Sequence, residues 1–300
     1  MTIHVAALYQ FRSFTMTEDF RQSVYALCRE QGVLGTLLMA NEGINGTISG
    51  PLEGLEAVVA YLKANGFDDL ELKYSHADSD PFLRLKVIWK REIVTLGVDV
   101  DPCQLVGEYI APKDWNSLIT QDDVLLIDTR NNYEYELGTF KNAINPDTEC
   151  FREFPRFCAT IDQSKYKRVA MFCTGGIRCE KASSYMLSIG FEEVYHLKGG
   201  ILQYLEEIDE ASSLWEGHCF VFDRRVALSH GLAITGMSQC YACRRALTPE
   251  DMLSEHYQKG VSCHHCIHIT SKERQAAFAN RQMQVEKALL NNMHHIGDAR

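Results

Sequence analysis

The pattern of apolar and polar positions divides the chain into three stretches. Residues 3–11 alternate well enough to predict a strand, and Thr15 with Glu18 forms a capping box ahead of an apolar-periodic helix over 20–30. Residues 33–39 predict a second strand. Asn41-Glu42-Gly43-Ile44-Asn45-Gly46 follows as a turn, because Asn and Gly accept positive φ, and residues 47–49 form a third strand entering a helix after Pro51. Gly66 ends that helix, and apolar runs at 70–76 and 83–96 add strands. The first hundred residues therefore spell βαββαβ, the ferredoxin-like order, with room for one extra hairpin strand.

Residues 102–116 predict an irregular connection with a short helix after Pro112. Strand and helix then alternate. Strands are expected at 124–128, 168–172 and 194–197, with a segment at 151–161 and helices after Cys173 and from Ile201. That alternation predicts a parallel α/β sheet, whose ligands bind at the carboxyl ends of strands, where Asp128 and Cys173 both fall. Residues 215–225 look like an apolar strand ending in Arg224 and Arg225, followed by two CxxC pairs and a helix after Ser271 that runs almost to the end. The expected fold class is mixed α/β and α+β in several domains: a ferredoxin-like domain over 1–100, a linker over 101–115, a parallel α/β domain over 116–212 and a cysteine-rich tail over 213–300.

Three hundred residues at 46% hydrophobic content suit two or three folded domains. No apolar run approaches the roughly 20 residues that cross a bilayer, and Met1-Thr2-Ile3-His4 lacks the basic start of a signal peptide. A cytoplasmic protein without membrane contact is expected. Eleven cysteines, an odd number, point to reduced thiols used for chemistry or metal rather than to a disulfide framework. The formal net charge of −10 excludes indiscriminate nucleic-acid binding. The charge is uneven, however: residues 216–300 carry ten Lys or Arg against eight Asp or Glu, and residues 1–215 carry twenty against thirty-two. Any nucleic-acid surface must be local, and the C-terminal third is its expected place; ordinary solvated charge explains the same numbers.

The chemistry gathers at Val169-Ala170-Met171-Phe172-Cys173-Thr174-Gly175-Gly176-Ile177-Arg178-Cys179. A buried strand delivers Cys173 into a glycine-bearing loop that opens a helix. If the loop curls, the N–H groups across Thr174, Gly175, Gly176, Ile177 and Arg178 form an anion cradle, and the helix N-terminus and the Arg178 charge lower the thiol pKa below about 8.5. Cys179 either resolves an oxidised Cys173 or packs on the first helical turn. Asp128 and Arg130, at a strand end, suit a pair that pins neighbouring loops. Neither a dinucleotide fingerprint nor a phosphate loop is present, so no nucleotide cofactor is expected.

The loop from Cys173 to Arg178 resembles the active-site loop of the rhodanese family, in which the cysteine carries a persulfide. Leu125-Leu126-Ile127-Asp128-Thr129-Arg130, Tyr133-Glu134-Tyr135-Glu136, Ala143-Ile144-Asn145 and residues 194–200 look like the rest of a rhodanese domain. Tyrosine phosphatases place five residues between cysteine and arginine; here four intervene, a smaller ring that suits a terminal sulfur. Together with Asn41-Glu42-Gly43-Ile44-Asn45-Gly46-Thr47 and Ala111-Pro112-Lys113-Asp114-Trp115-Asn116, these stretches resemble the rhodanese-related bacterial tRNA uridine 5-hydroxylases. The resemblance implies an oxidoreductase that uses molecular oxygen to convert wobble uridine of tRNA to 5-hydroxyuridine, with Cys173 required. The alternative is a sulfurtransferase passing persulfide sulfur to tRNA or a carrier protein, fed by a sulfur-donor protein.

Cys240-x-x-Cys243 and Cys263-x-x-Cys266, nineteen residues apart, match a four-cysteine zinc site, since each turn aims both sulfurs at one tetrahedral ion. Unmetallated thiols or a disulfide are the other readings. For an RNA surface, Arg224, Arg225, Arg244 and Arg245 bracket the link to this tail, with Arg178 beside the reactive sulfur.

Overall fold

The structure is a computed structural model that describes residues 3–291; expectations for residues 1–2 and 292–300 lie outside the described residues. The first domain comprises β1 (Ile3–Phe11), α1 (Glu18–Glu30), β2 (Leu34–Ala40), β3 (Gly43–Gly50), α2 (Leu52–Ala64), β4 (Glu71–Ala77) and β5 (Leu85–Trp89). Its sheet has the order β4-β1-β3-β2-β5. The ferredoxin-like order is present. The fifth strand does not extend a hairpin from β4; it crosses to the far edge and runs parallel to β2. The connection through Asp78, Ser79, Asp80 and Pro81 is longer than a tight hairpin loop and spans the sheet instead.

Two local expectations shift. The N-cap of α1 is Thr17, whose side chain accepts from the Phe20 N–H, not Thr15. Only Asn41 and Glu42 form the turn between β2 and β3, because Gly43 already pairs with Ala40. Along the strands, Ala6, Leu8, Leu37, Met39, Ile44 and Ile48 face Val24, Cys28, Leu55, Val58 and Leu62 of the two helices. The period of two therefore sends Ala7, Tyr9, Leu38, Asn45, Thr47 and Lys73 to the opposite face. That second face lines a cleft shared with Cys173.

The central domain comprises β6 (Glu108–Ile110), α3 (Pro112–Ile119), β7 (Val124–Asp128), α4 (Asn132–Tyr135), β8 (Gly138–Phe140), α5 (Phe154–Cys158), β9 (Arg168–Phe172), α6 (Ile177–Ser188), β10 (Glu193–Leu197) and α7 (Gly200–Glu207). β6, β10, β9 and β7 form a four-stranded sheet in that order, all parallel. Both faces are buried, as such sheets require: Leu126, Ala170 and Phe172 enter one core, and Leu125, Ile127, Val169 and Met171 the other.

The expected linker is not a linker throughout. Residues 108–110 are a strand of the central sheet, and Trp115 and Leu118 of α3 lie in its core, because burying that indole and pairing that edge satisfy the sheet. The boundary expected at 212 also moves. β11 (Trp215–Gly217) pairs antiparallel with β8, and Trp215, Cys219, Val221 and Leu228 join the same core. β12 (Cys219–Phe220) pairs with β13 (Ala227–Leu228), and beyond them β14 (Ser238–Gln239) and β15 (Ala246–Leu247) frame the four tail cysteines. The last helix, α8 (Lys272–Leu290), buries no residue and is tied back by Arg281, which donates to the carbonyls of Tyr241 and Gly260.

Candidate active site

Cys173 directly follows β9 and is 1% exposed. The Gly176 N–H donates to its Sγ at 3.1 Å, with Gly176 at φ 100°, a left-handed conformation that favours glycine. Gly200, at φ 64°, opens α7 hard against the loop; a Cβ there would lie 2.5 Å from the Cys173 carbonyl oxygen. Through that close approach the N–H groups of Ile201 and Leu202 donate to the carbonyls of Cys173 and Thr174 at 2.9 and 3.1 Å. The loop is thus held from both sides.

Burial alone would push the Cys173 thiol up. The Cys179 thiol, the Arg178 guanidinium and the backbone N–H groups of Cys179 and Arg178 outweigh it and bring the pKa down to about 6. Cys179, itself buried, is pushed well above the ordinary thiol range by burial and by the neighbouring Cys173 charge, so it stays protonated and donates. Its Sγ also lies 3.6 Å from the Thr129 hydroxyl.

Arg178 is not a free charge. Its guanidinium forms a two-pronged ion pair with Glu134 at 2.7 and 2.8 Å, and the Glu134 side chain is fully buried. Thr174 turns its hydroxyl toward Glu134 at 3.3 Å rather than toward the sulfur. Sequence reasoning did not single out Glu134. The signal was present: Asn131 and Glu134 form a capping box on α4 that fixes the carboxylate in place. Asp128 and Arg130 make a second fully buried ion pair at 2.6 Å, and Thr139 donates to the Asp128 carboxylate at 2.9 Å. These bonds tie the end of β7 to β8.

Behind the loop, the Glu180 carboxylate accepts from the Tyr9 hydroxyl at 3.0 Å and the Tyr109 hydroxyl at 2.7 Å. Burial raises the Glu180 pKa to about 7 against the pull of those two donors. The next residue, Lys181, reaches Glu42 at 2.8 Å and Glu92 at 2.7 Å. Glu42 also accepts from the Ile93 N–H at 2.7 Å, and the Asn45 amide donates to the Ile93 carbonyl at 2.9 Å. The polar turn of the first domain therefore clamps that domain onto α6 at Lys181, about one turn into the helix that follows the reactive loop.

Between the domains lies a cleft of about 1010 Å³. Its floor carries Cys173, Thr174, Gly175, Ile177 and Arg178, and the open sheet face of the first domain covers it. Of the arginines expected to meet RNA, Arg225 is buried in an ion pair with Asp223 at 2.6 Å and donates to the Ser75 hydroxyl at 2.7 Å. It is an interdomain tie, since its donors are spent inside the protein. Arg245 pairs with Glu136 at 2.7 Å. Arg224 and Arg244 remain exposed.

Residues 3–93 match the family described as the UPF0176 acylphosphatase-like domain, and residues 111–207 match the rhodanese-like domain. Along 297 residues the chain is 51% identical to the tRNA uridine(34) hydroxylase of Brucella anthropi, covering 98% of this chain and 97% of that one. The chain belongs to the tRNA uridine(34) hydroxylase family. Among solved structures, a rhodanese-related protein of Thermoplasma volcanium is 23% identical over 33% of this chain and 92% of its own, with a TM-score of 0.29. Acylphosphatase of Bacillus subtilis is 16% identical over 29% of this chain and 98% of its own, with a TM-score of 0.23.

In this family member the four tail cysteines converge. Their Sγ atoms all lie within 4.8 Å of one another. The separations are 3.9 Å for Cys240 and Cys266, 3.7 Å for Cys243 and Cys263, and 3.8 Å for Cys263 and Cys266. Sulfurs about 2.3 Å from a tetrahedral zinc stand about 3.8 Å apart, so the donor set fits that ion. No described helix is long and apolar enough to cross a membrane.

Proposed function

We propose that this protein is a cytoplasmic oxidoreductase that hydroxylates C5 of the wobble uridine of tRNA, with molecular oxygen as co-substrate, Cys173 as its reactive group and an external two-electron reductant that carries the second oxygen atom away as water. The observation that carries the reading is the 51% identity over nearly the whole chain to a tRNA uridine(34) hydroxylase. The site supports it in three ways. The Cys173 thiol ionises near neutral pH, so a nucleophilic sulfur is available without an external base. The cleft above it is roomy enough for an extruded nucleobase, which an enzyme acting on a base requires. Glu134 fixes Arg178, and the Gly176 N–H faces the sulfur, so charge developing there meets donors already in place.

Cys240, Cys243, Cys263 and Cys266 would hold zinc as a structural ion, since four thiolates leave no open position for catalysis. Cys179, held protonated by burial and the neighbouring Cys173 charge, supports the Cys173 thiolate as a donor; a resolving role would require its own thiolate, which this environment disfavours. The sulfurtransferase alternative would use the same loop, and the whole-chain relative favours hydroxylation. Mass analysis of wobble nucleosides from cells lacking the protein tests the reading. Loss of an added oxygen supports it, loss of a sulfur-for-oxygen exchange supports the alternative, and an unchanged profile overturns both.

A further inference from the structure

Phe222 is 61% exposed at the point where two cavities meet. One is the Cys173 cleft. The other is a hollow of about 360 Å³ bounded by Tyr133, Phe220, Gln239, Cys243 and Arg244, which leads toward the cysteine-rich tail. Single exposed apolar side chains are common, so exposure decides nothing by itself. The support beneath this ring is what sets it apart. The Arg178 guanidinium lies 5.9 Å from the ring centroid, locked there by Glu134, and the Phe220 ring meets it edge-on at 5.3 Å. The segment that carries Phe222 is pinned to the first domain twice, by Arg225 donating to Ser75 at 2.7 Å and by the Arg224 N–H donating to the Pro81 carbonyl at 3.1 Å. The same turn holds Val226 at φ 65°, a conformation that a β-branched residue adopts only under strain. Two domains and a strained backbone thus hold one aromatic ring in solvent at the cleft that contains the reactive sulfur.

We propose that Phe222 is the platform on which the target nucleobase stacks as it enters the Cys173 cleft, and that the adjoining hollow receives the neighbouring nucleotide of the same strand. The inference rests on the tRNA reading above and adds how the base is positioned. An aromatic face stacks any base and supplies no hydrogen-bond readout, so Phe222 fixes position and not sequence. Arg244 lines the hollow and Arg224 lies two residues from Phe222; both are exposed and suit the phosphates on either side of the stacked base. Lys90 and Arg91 of the first domain line the Cys173 cleft, so cations of that domain border the same path. This gathers positive charge locally in a chain of net charge −10.

The test uses Phe222→Ala and Phe222→Trp in the full chain. Phe222→Ala should lower kcat/KM for tRNA by about 5- to 150-fold, the range for losing one base–aromatic stack. Phe222→Trp should restore the rate, and Cys173 should alkylate in both as in the parent. The indole of Phe222→Trp also gives a direct signal. An anticodon stem-loop with uridine at the wobble position should quench emission beyond that seen with the parent, and the same RNA lacking the base there should quench far less. Parental kcat/KM in Phe222→Ala, or equal quenching by both RNAs, overturns the proposal. If Phe222→Ala loses thiol reactivity, the quenching comparison decides alone. Failure of the parent protein to hydroxylate any tRNA would refute the enzymatic reading instead, and the quenching comparison would still decide whether the ring stacks a base.

Discussion

Glu134→Gln separates two effects that usually move together. Glu134 is fully buried and holds the Arg178 guanidinium with two bonds of 2.7 and 2.8 Å. Glutamine keeps the shape and removes the charge, leaving a buried guanidinium without its counter-ion. Breaking a buried pair from one side costs about 3–5 kcal/mol, several times the value of an exposed salt bridge. The same change releases the Arg178 positive charge toward Cys173, whose thiolate it already favours. The thiol should therefore become more acidic while the protein becomes less stable. Iodoacetamide alkylation of Cys173 across pH 4–9 measures the first quantity, and urea unfolding measures the second. The double variant Glu134→Gln with Arg178→Met should recover part of the lost stability, because no unpaired charge is then left inside. A stability loss below about 1 kcal/mol would mean the pair behaves as a surface salt bridge. A rise in the thiol pKa would mean that Arg178 does not act on the sulfur.

Three further outcomes are expected. The Cys173 thiol has its pKa lowered to about 6 from an unfolded value near 8.5, so its stabilising contribution is present above the unfolded value and lost as pH falls through about 6; alkylation should be half-maximal near that pH, and Cys179→Ala should move the midpoint upward by removing a donor, a downward shift counting against it. Purified protein should contain one zinc per chain by metal analysis, and Cys263→Ser should lose it and expose residues 238–270 to protease while Cys173 stays reactive; folded parent protein with under about half an equivalent would argue against the site. Arg224→Ala should weaken tRNA binding and reduce its salt dependence by about one counterion, whereas Arg225→Ala should mainly lower stability by stranding Asp223; equal salt slopes for the parent and Arg224→Ala would remove Arg224 from the RNA surface.

The elements of the fold were legible because their causes are local. Period-two and helical patterns marked the strands and helices of both α/β units, and the cysteine, glycines and arginine of the loop stand within six residues. The partners of that loop were not legible, since packing alone brings them there. Glu134 meets Arg178 across 44 positions, and Tyr9 meets Glu180 across 171. The arginines show how a local signal is missed. Asp128-Thr129-Arg130 and Asp223-Arg224-Arg225 make the same arrangement, an arginine whose backbone N–H and guanidinium both return to an aspartate two residues earlier. The first was expected to pin loops, while the second was assigned to RNA because two adjacent arginines suggest a cationic patch. The domain limits shifted for a similar reason: Trp115 lies in a stretch that looks like a connection and Trp215 opens a strand expected to belong to the tail, yet both indoles complete the central core.

The most direct measurement is hydroxylation of unmodified tRNA by the purified protein under isotopically heavy dioxygen, with the wobble nucleoside weighed by mass spectrometry. Oxygen insertion through Cys173 requires that the heavy isotope appear in 5-hydroxyuridine with the parent protein and be absent with Cys173→Ser. A wobble nucleoside that has exchanged oxygen for sulfur, or a Cys173→Ser protein that inserts the heavy oxygen as the parent does, would contradict it.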